Sequence, residues 1–252
     1  KRCFEWIIKK LNIICFHDKI AINKRMAGTE MNLNFKHTKY ASYIGYVTQA
    51  IINNLPPLLF IIFQKQLNIS IEQLGFLISF NFGIQIITDF LAAKYVDKIG
   101  YRRAVVAAHI CSFIGLVGLG VFPHLFENSY LALLCAMGIN AIGGGLIEVL
   151  ISPIVEALPG DEKASAMSLL HSFYCWGHVG VVIISTIFFN IAGMDNWTIL
   201  PILWSVVPLF NIFFFSKVPI KMLVEEGDEV PFRKIFTVRI FWILFLLMIC
   251  AG

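Results

Sequence analysis

Residues 89–103, DFLAAKYVDKIGYRR, collect six charged side chains at one short bend. The chain around them is 58% hydrophobic and only 14% charged, whereas a soluble domain carries about 25% charge. A helix crosses a bilayer with roughly 20 apolar residues, and runs of that length flank the bend on both sides. The spacing predicts spans near 41–63, 74–96, 104–123, 130–154, 166–192 and 197–216. A seventh apolar run, IFWILFLLMICAG, is too short to cross before Gly252 and reads as a span cut off inside its helix. The expected class is an all-α multi-pass membrane protein.

Lys and Arg set the orientation of such a chain. With the N-terminus in the cytoplasm, the inside segments 1–40, 94–103, 155–165 and 217–239 hold 9, 4, 1 and 5 basic residues, 19 of the 20. Only Lys65 then lies outside. Without residues 1–30 the balance is still 12 against 1. The bend at 97–103 is therefore expected in the cytoplasm, between spans 2 and 3. Gly100 sits at the tightest point of that turn, where a residue without Cβ is favoured.

The first 30 residues fit neither a signal peptide nor a span: their apolar runs are short and no small-residue cleavage site follows. Met26 and Met31 are candidate starts, with residues 1–30 as upstream sequence or a disordered tail. The competing reading is an interfacial helix with Phe4, Trp6, Ile7 and Leu11 inward and its Lys residues toward headgroups. The six Cys show no CxxC and no metal spacing, so neither a disulfide framework nor a zinc site is implied.

The segment AKYVDKIGYRR resembles the loop 2–3 signature of the major facilitator superfamily, G-x-x-x-D-[RK]-x-G-x-[RK]-[RK]. Asp97, Lys98, Gly100, Arg102 and Arg103 match it, and Ala93 stands where the signature has Gly. The resemblance implies a six-helix N-terminal half of a twelve-helix fold. It divides the chain into a cytoplasmic N-terminal segment (1–40), a six-span half (41–216), a cytoplasmic linker (217–235) and the start of span 7 (236–252). It also implies a gating latch made by Asp97, Lys98, Gly100, Arg102 and Arg103, engaging a missing C-terminal half of the same protein. GGGLIEVLISPIVEALP followed by MSLLHSFYCWGHVG looks like the fucose-permease-like sugar transporters, which carry an acid in span 4 and a Leu-His-x-Phe/Tyr segment leading into span 5. Span 1 has no acid, where that branch often carries Asp, so the branch's coupling scheme does not carry over there.

Polar side chains inside a span are expected to face the bundle interior or a wet cavity. Ser42, Tyr46, Gln49 and Asn53 form one helical stripe on span 1, suited to a hydroxylated or amide-bearing solute or to interspan hydrogen bonds. Pro56 and Pro57 are expected to bend or end that helix. Asn81, Gln85 and Asp89 form a similar stripe on span 2. Asp89 is assigned to the latch, paired with Arg102 or Arg103. On span 4, Glu148, Ser152 and Glu156 share a slowly drifting face. Glu156 can reach water, whereas a lone mid-membrane Glu148 costs on the order of 3 kcal/mol and is tolerated for function or because the acid is protonated. Gly143, Gly144 and Gly145 read as close helix packing. On span 5, His171, Tyr174 and His178 share a face.

These residues give substrate-binding candidates Tyr46, Gln49, Asn53, Glu148 and His171, and proton-coupling candidates Glu148, His171 and His178. No catalytic or metal set is assigned, since HExxH, GxSxG and paired-Asp membrane motifs are lacking. The expected function is a secondary active transporter moving a small polar solute, sugar-like and coupled to protons, by alternating access. Its expected partners are the solute, protons, the lipid bilayer and the missing half, with no cofactor and no nucleic acid. The expected location is the cytoplasmic membrane of a bacterium. Proton-antiport drug efflux is the alternative, though GHVGVVIIST lacks the Pro of that branch's span 5 motif. A non-transporting receptor on the same fold is a further one.

Overall fold

The computed structural model describes residues 33–160, 163–221 and 236–251. The expectations for residues 1–30, and for the linker beyond Lys221 up to residue 235, lie outside them. The regular structure among the described residues is helical: α1 (Phe35–Gln66), α2 (Ile71–Ile99), α3 (Tyr101–Leu125), α4 (Ser129–Glu156), α5 (Lys163–Ala192), α6 (Ile199–Trp204), α7 (Val206–Lys217) and α8 (Arg239–Ala251). A short 3-10 turn, Met194–Asn196, precedes α6. Among the described residues, six helical stretches are long and apolar enough to cross a membrane, with α6 and α7 together making the sixth, Ile199–Lys217.

Local chemistry sets the ends of these helices. Ser70 opens α2 with a capping box: the Gln73 N–H donates to Ser70 Oγ, and the Ser70 N–H donates to Gln73 Oε1. Asn128 opens α4, its Oδ1 accepting from the Leu131 N–H. Such caps satisfy N–H groups that the helix itself leaves unpaired. Gly100 ends α2 and starts α3 in one residue, at φ 92. That backbone conformation is strained for any residue with a Cβ, and it makes the hinge between α2 and α3 this tight.

Proline acts differently in two of the spans. α1 runs on through Pro56 and Pro57 to Gln66 rather than ending there. The missing N–H groups cost it two backbone bonds; Pro56 is buried and Pro57 is exposed. Span 6 does break, at Ser205, between α6 and α7. Pro208 offers no N–H to the Trp204 carbonyl one turn earlier, and Ser205 Oγ donates back to Ile202 O at 2.7 Å. Both effects weaken the ladder at that point.

The core sits where α1, α2, α3 and α4 meet, with Ile51, Leu55, Leu59, Phe63, Leu77, Leu116, Leu119 and Leu133 all fully buried. Trp197 closes one end of it against Phe63. α3 and α4 make the most extensive helix pair, because glycines let their backbones meet. A Cβ placed on Gly143 would lie 2.8 Å from both Ala108 O and the Ser112 N. One placed on Gly115 would lie 2.7 Å from the Asn140 N. Close approach of this kind, rather than hydrophobic exclusion, is what holds helices together in lipid. In contrast α5 buries only Ala166, Leu170, Gly177, Val181 and Ser185. Large apolar side chains stand outward along α2 and α5, among them Phe82, Ile87, Phe90, Ile183 and Ile187.

Candidate functional site

α1, α4 and α5 turn polar side chains toward a shared cleft. Tyr46, Gln49 and Asn53 come from α1, Glu148 from α4, and His171 and Tyr174 from α5. Together they line a cavity of about 190 Å³. The five substrate-binding candidates of the sequence are thus brought together, with Tyr174 beside them. α5 can approach because Gly177 rests against Val47 and Ala50 of α1. Gly144 gives α4 the same closeness to Gln49 and Gln85.

Within the cleft, Gln49 Nε2 donates to Glu148 Oε2 at 3.4 Å, and Asn53 Nδ2 donates to Tyr174 OH at 3.5 Å. Gln85 Nε2 donates to Asn53 Oδ1 at 3.4 Å, joining α2 to the set. The Tyr46 hydroxyl and Ser152 Oγ share a 2.8 Å hydrogen bond, which orients the ring. His171 meets that ring edge-on, with centroids 5.5 Å apart. The three long amide contacts lie at the outer limit of hydrogen bonding, so these groups are held only weakly to one another. Aromatic rims, amides and one carboxylate give the cleft both hydrogen-bond donors and acceptors.

Other candidates lie elsewhere. His178 is exposed one turn beyond Tyr174 and does not line the cleft. Ser42 faces inward and donates to Thr38 O, within its own helix. Asn81 is buried between α1, α2 and α4, apart from the cleft. Glu156 pairs with Lys163 across the α4–α5 connection, both half exposed.

The charged bend holds a different arrangement from the one its sequence suggested. Asp97 and Lys98 are exposed, and Gly100 makes the turn. Arg102 does not pair with Asp89. Its guanidinium donates to Phe215 O, Ser216 O and Val218 O at 3.0, 2.8 and 2.7 Å. Those are the last carbonyls of α7, which have no partner inside the helix and carry the negative end of its dipole. Thr38 Oγ1 adds a 2.6 Å bond to Pro219 O. Asp89 instead faces α4, where a Cβ on Gly145 would come within 2.8 Å of its Oδ1.

Arg102→Ala therefore loosens the end of α7. Loss of charge-assisted bonds at a water-exposed site is worth about 1 kcal/mol of local opening. Trypsin is expected to cut at Lys217 and Lys221 roughly fivefold faster, that same energy expressed as a rate. Unchanged cutting would contradict the clamp.

A buried tie went unnoticed in the sequence. His109 on α3 is fully buried and its Nδ1–H donates to Val105 O at 2.8 Å. That leaves Nε2 to accept from Asn211 Nδ2 on α7 at 2.8 Å, while the same amide donates to Ala41 O at 3.1 Å. Spans 1, 3 and 6 are joined there. A lone His and a lone Asn, each within an apolar run, were the available signal.

A family model described as the Major Facilitator Superfamily matches residues 42–252. The fold also resembles solved transporters. The proton:xylose symporter XylE bound to 6-bromo-6-deoxy-D-glucose aligns with a TM-score of 0.62 at 17% identity, over 73% of this chain and 44% of that one. The inward-open xylose transporter XylE from E. coli aligns with a TM-score of 0.61 at 19% identity, over 81% and 52%. A POT family transporter in complex with 5-aminolevulinic acid aligns with a TM-score of 0.55 at 16% identity, over 85% and 45%. The chain thus spans about half the length of these structures. No curated protein matches it by sequence.

Proposed function

The chain belongs to the Major Facilitator Superfamily, and on that premise we propose that it forms the N-terminal half of a proton-coupled secondary transporter for a small, sugar-like solute. It is a multi-pass membrane transporter and not an enzyme. The observation that carries the solute assignment is the cleft, where Tyr46, Gln49, Asn53, Glu148, His171 and Tyr174 converge from three helices. Hydroxyl groups of a sugar donate and accept, and this lining offers both. Two of the similar structures are described as xylose transporters, which agrees with that chemistry.

Glu148 is the proton-loading group in this reading, with His171 as the partner in the same cleft and His178 one turn away. A carboxylate that loses its charge on one side of the membrane and regains it on the other couples solute to proton. Asp97, Lys98, Gly100 and Arg103 form the cytoplasmic latch against the other half of the protein, while Arg102 holds the end of α7 beside them. The charge balance supports a cytoplasmic N-terminus, and the proposed location is a bacterial cytoplasmic membrane.

Uptake of labelled D-xylose and a panel of other pentoses and hexoses by the reconstituted full-length protein, with and without a protonophore, tests this reading. Saturable accumulation that the protonophore abolishes is the expected result. Binding without uptake would instead mark a receptor, and uptake indifferent to the protonophore would remove the proton.

A further inference from the structure

A second recess adjoins the cleft and has a chemistry of its own. It lies between α1, α2 and α4, further along α1 toward Gln66, and encloses about 80 Å³. Asn53 lines both spaces and is the wall they share. Phe60, Ile78 and Met137 make much of the remaining wall apolar.

Three polar groups in this apolar setting stand without partners. Asn81 is only 7% exposed, and among the described residues its amide has no hydrogen-bond partner. Buried amides are rarely left that way. The other two groups follow from covalent chemistry. Pro56 and Pro57 have no N–H to give the carbonyls of Ile52 and Asn53, four positions earlier in α1. All four of those residues line the recess. It therefore presents one amide, which donates and accepts, beside two carbonyls that only accept.

Size and charge narrow what fits. A cavity of about 150 Å³ takes a benzene ring, so about 80 Å³ takes a group of roughly half that size. No charged side chain lines the recess, and burying an isolated charge there would be costly. The occupant is thus small and neutral, with one donor, one acceptor and an apolar remainder. We infer that the recess is the subsite for an acetamido substituent on the solute's sugar ring, with Asn81 as the residue that selects it. The N–H of that group donates to a carbonyl freed by proline, its oxygen accepts from Asn81 Nδ2, and its methyl packs against Ile78 and Met137. The inference rests on reading the cleft as a sugar site, and it narrows the substrate class to N-acetylated amino sugars. A plain hexose leaves the Asn81 amide unpaired, and a free amino sugar brings a charge that nothing in the recess neutralises.

Equilibrium binding of labelled sugars to the purified full-length protein in detergent tests the subsite in matched pairs. The pairs are D-glucose with N-acetyl-D-glucosamine, and D-galactose with N-acetyl-D-galactosamine. In at least one pair the acetamido sugar should bind about tenfold tighter or more, because its counterpart leaves buried polar groups unpaired. Asn81→Leu keeps the shape of the side chain without its hydrogen bonds, and Ile78→Phe fills the recess; each should bring that ratio close to one. Ser79→Ala, on an exposed stretch of α2 where the hydroxyl bonds only to Gly75 O, should keep it. Each variant is first checked for monodisperse elution, and Ile78→Phe carries the test if Asn81→Leu does not fold. Equal binding within both pairs by the parent, or an unchanged ratio in both variants, overturns the subsite. A protein that binds or accumulates plain sugars without this preference overturns the inference alone; one that binds no sugar overturns the reading of the cleft with it.

Discussion

Glu148→Gln should abolish accumulation of the solute while leaving its exchange across the membrane intact. The substituted amide keeps the length and shape of the side chain, and its oxygen can still accept from Gln49 Nε2, which now stands 3.4 Å from Glu148 Oε2. Hydrogen bonding to a sugar hydroxyl therefore survives. What the amide lacks is a charge that a proton can neutralise on one face and restore on the other. Uptake then runs only downhill, and each 1.4 kcal/mol of gradient no longer used removes about tenfold of accumulation. Counterflow exchange and accumulation are measured separately on the same vesicles. Parallel loss of both would mean that Glu148 only holds the solute. Retention of both would make it a structural carboxyl.

Gly143→Leu should have the largest effect on the fold. A Cβ alone would lie 2.8 Å from backbone atoms of Ala108 and Ser112, and backbone cannot swing aside as a side chain can. α3 and α4 must separate, and the Gly115 contact with Asn140 one turn away opens with them. Overpacking costs typically 1–3 kcal/mol even where side chains can adjust; here the whole helix pair has to move. Loss of monodisperse protein after solubilisation is the expected outcome. Gly83→Leu is the matched control, since a Cβ there meets nothing within 4 Å. Similar behaviour of the two variants would mean that close packing of α3 on α4 is not what holds the unit together.

The helices were legible because bilayer crossing leaves a coarse mark: long apolar runs with most of the charge at the bends. The turn at Gly100 was legible too, since a helix reversal in one residue calls for the φ of 92 that glycine tolerates. Spacing also showed that Tyr46, Gln49 and Asn53 share a face of α1. It could not show that α4 and α5 bring Glu148, His171 and Tyr174 to that face, because stripes on separate helices fix no mutual rotation. The same gap misdirected Asp89. Its distance along the chain from Arg102 suggested a pair, yet Arg102 turns to three carbonyls of α7, and backbone acceptors leave no trace in composition. His109 and Asn211 were invisible for a related reason. Each is one polar residue in an apolar run, and their meaning lies entirely in their meeting. Pro56 and Pro57 were expected to bend or end α1, and the helix does not end there but continues to Gln66.

The cleft itself is open to one direct measurement. In full-length protein freed of its native cysteines, Asn53→Cys puts a thiol between Tyr174 and Gln85, on the cavity wall. Its labelling by a small maleimide is followed with increasing concentrations of the sugar that the reconstituted protein takes up, beside Ile187→Cys on the outward face of α5. The account predicts saturable protection at position 53, at the concentration that half-saturates uptake, and none at position 187. Labelling at position 53 that the transported sugar does not change would contradict a solute site in this cleft.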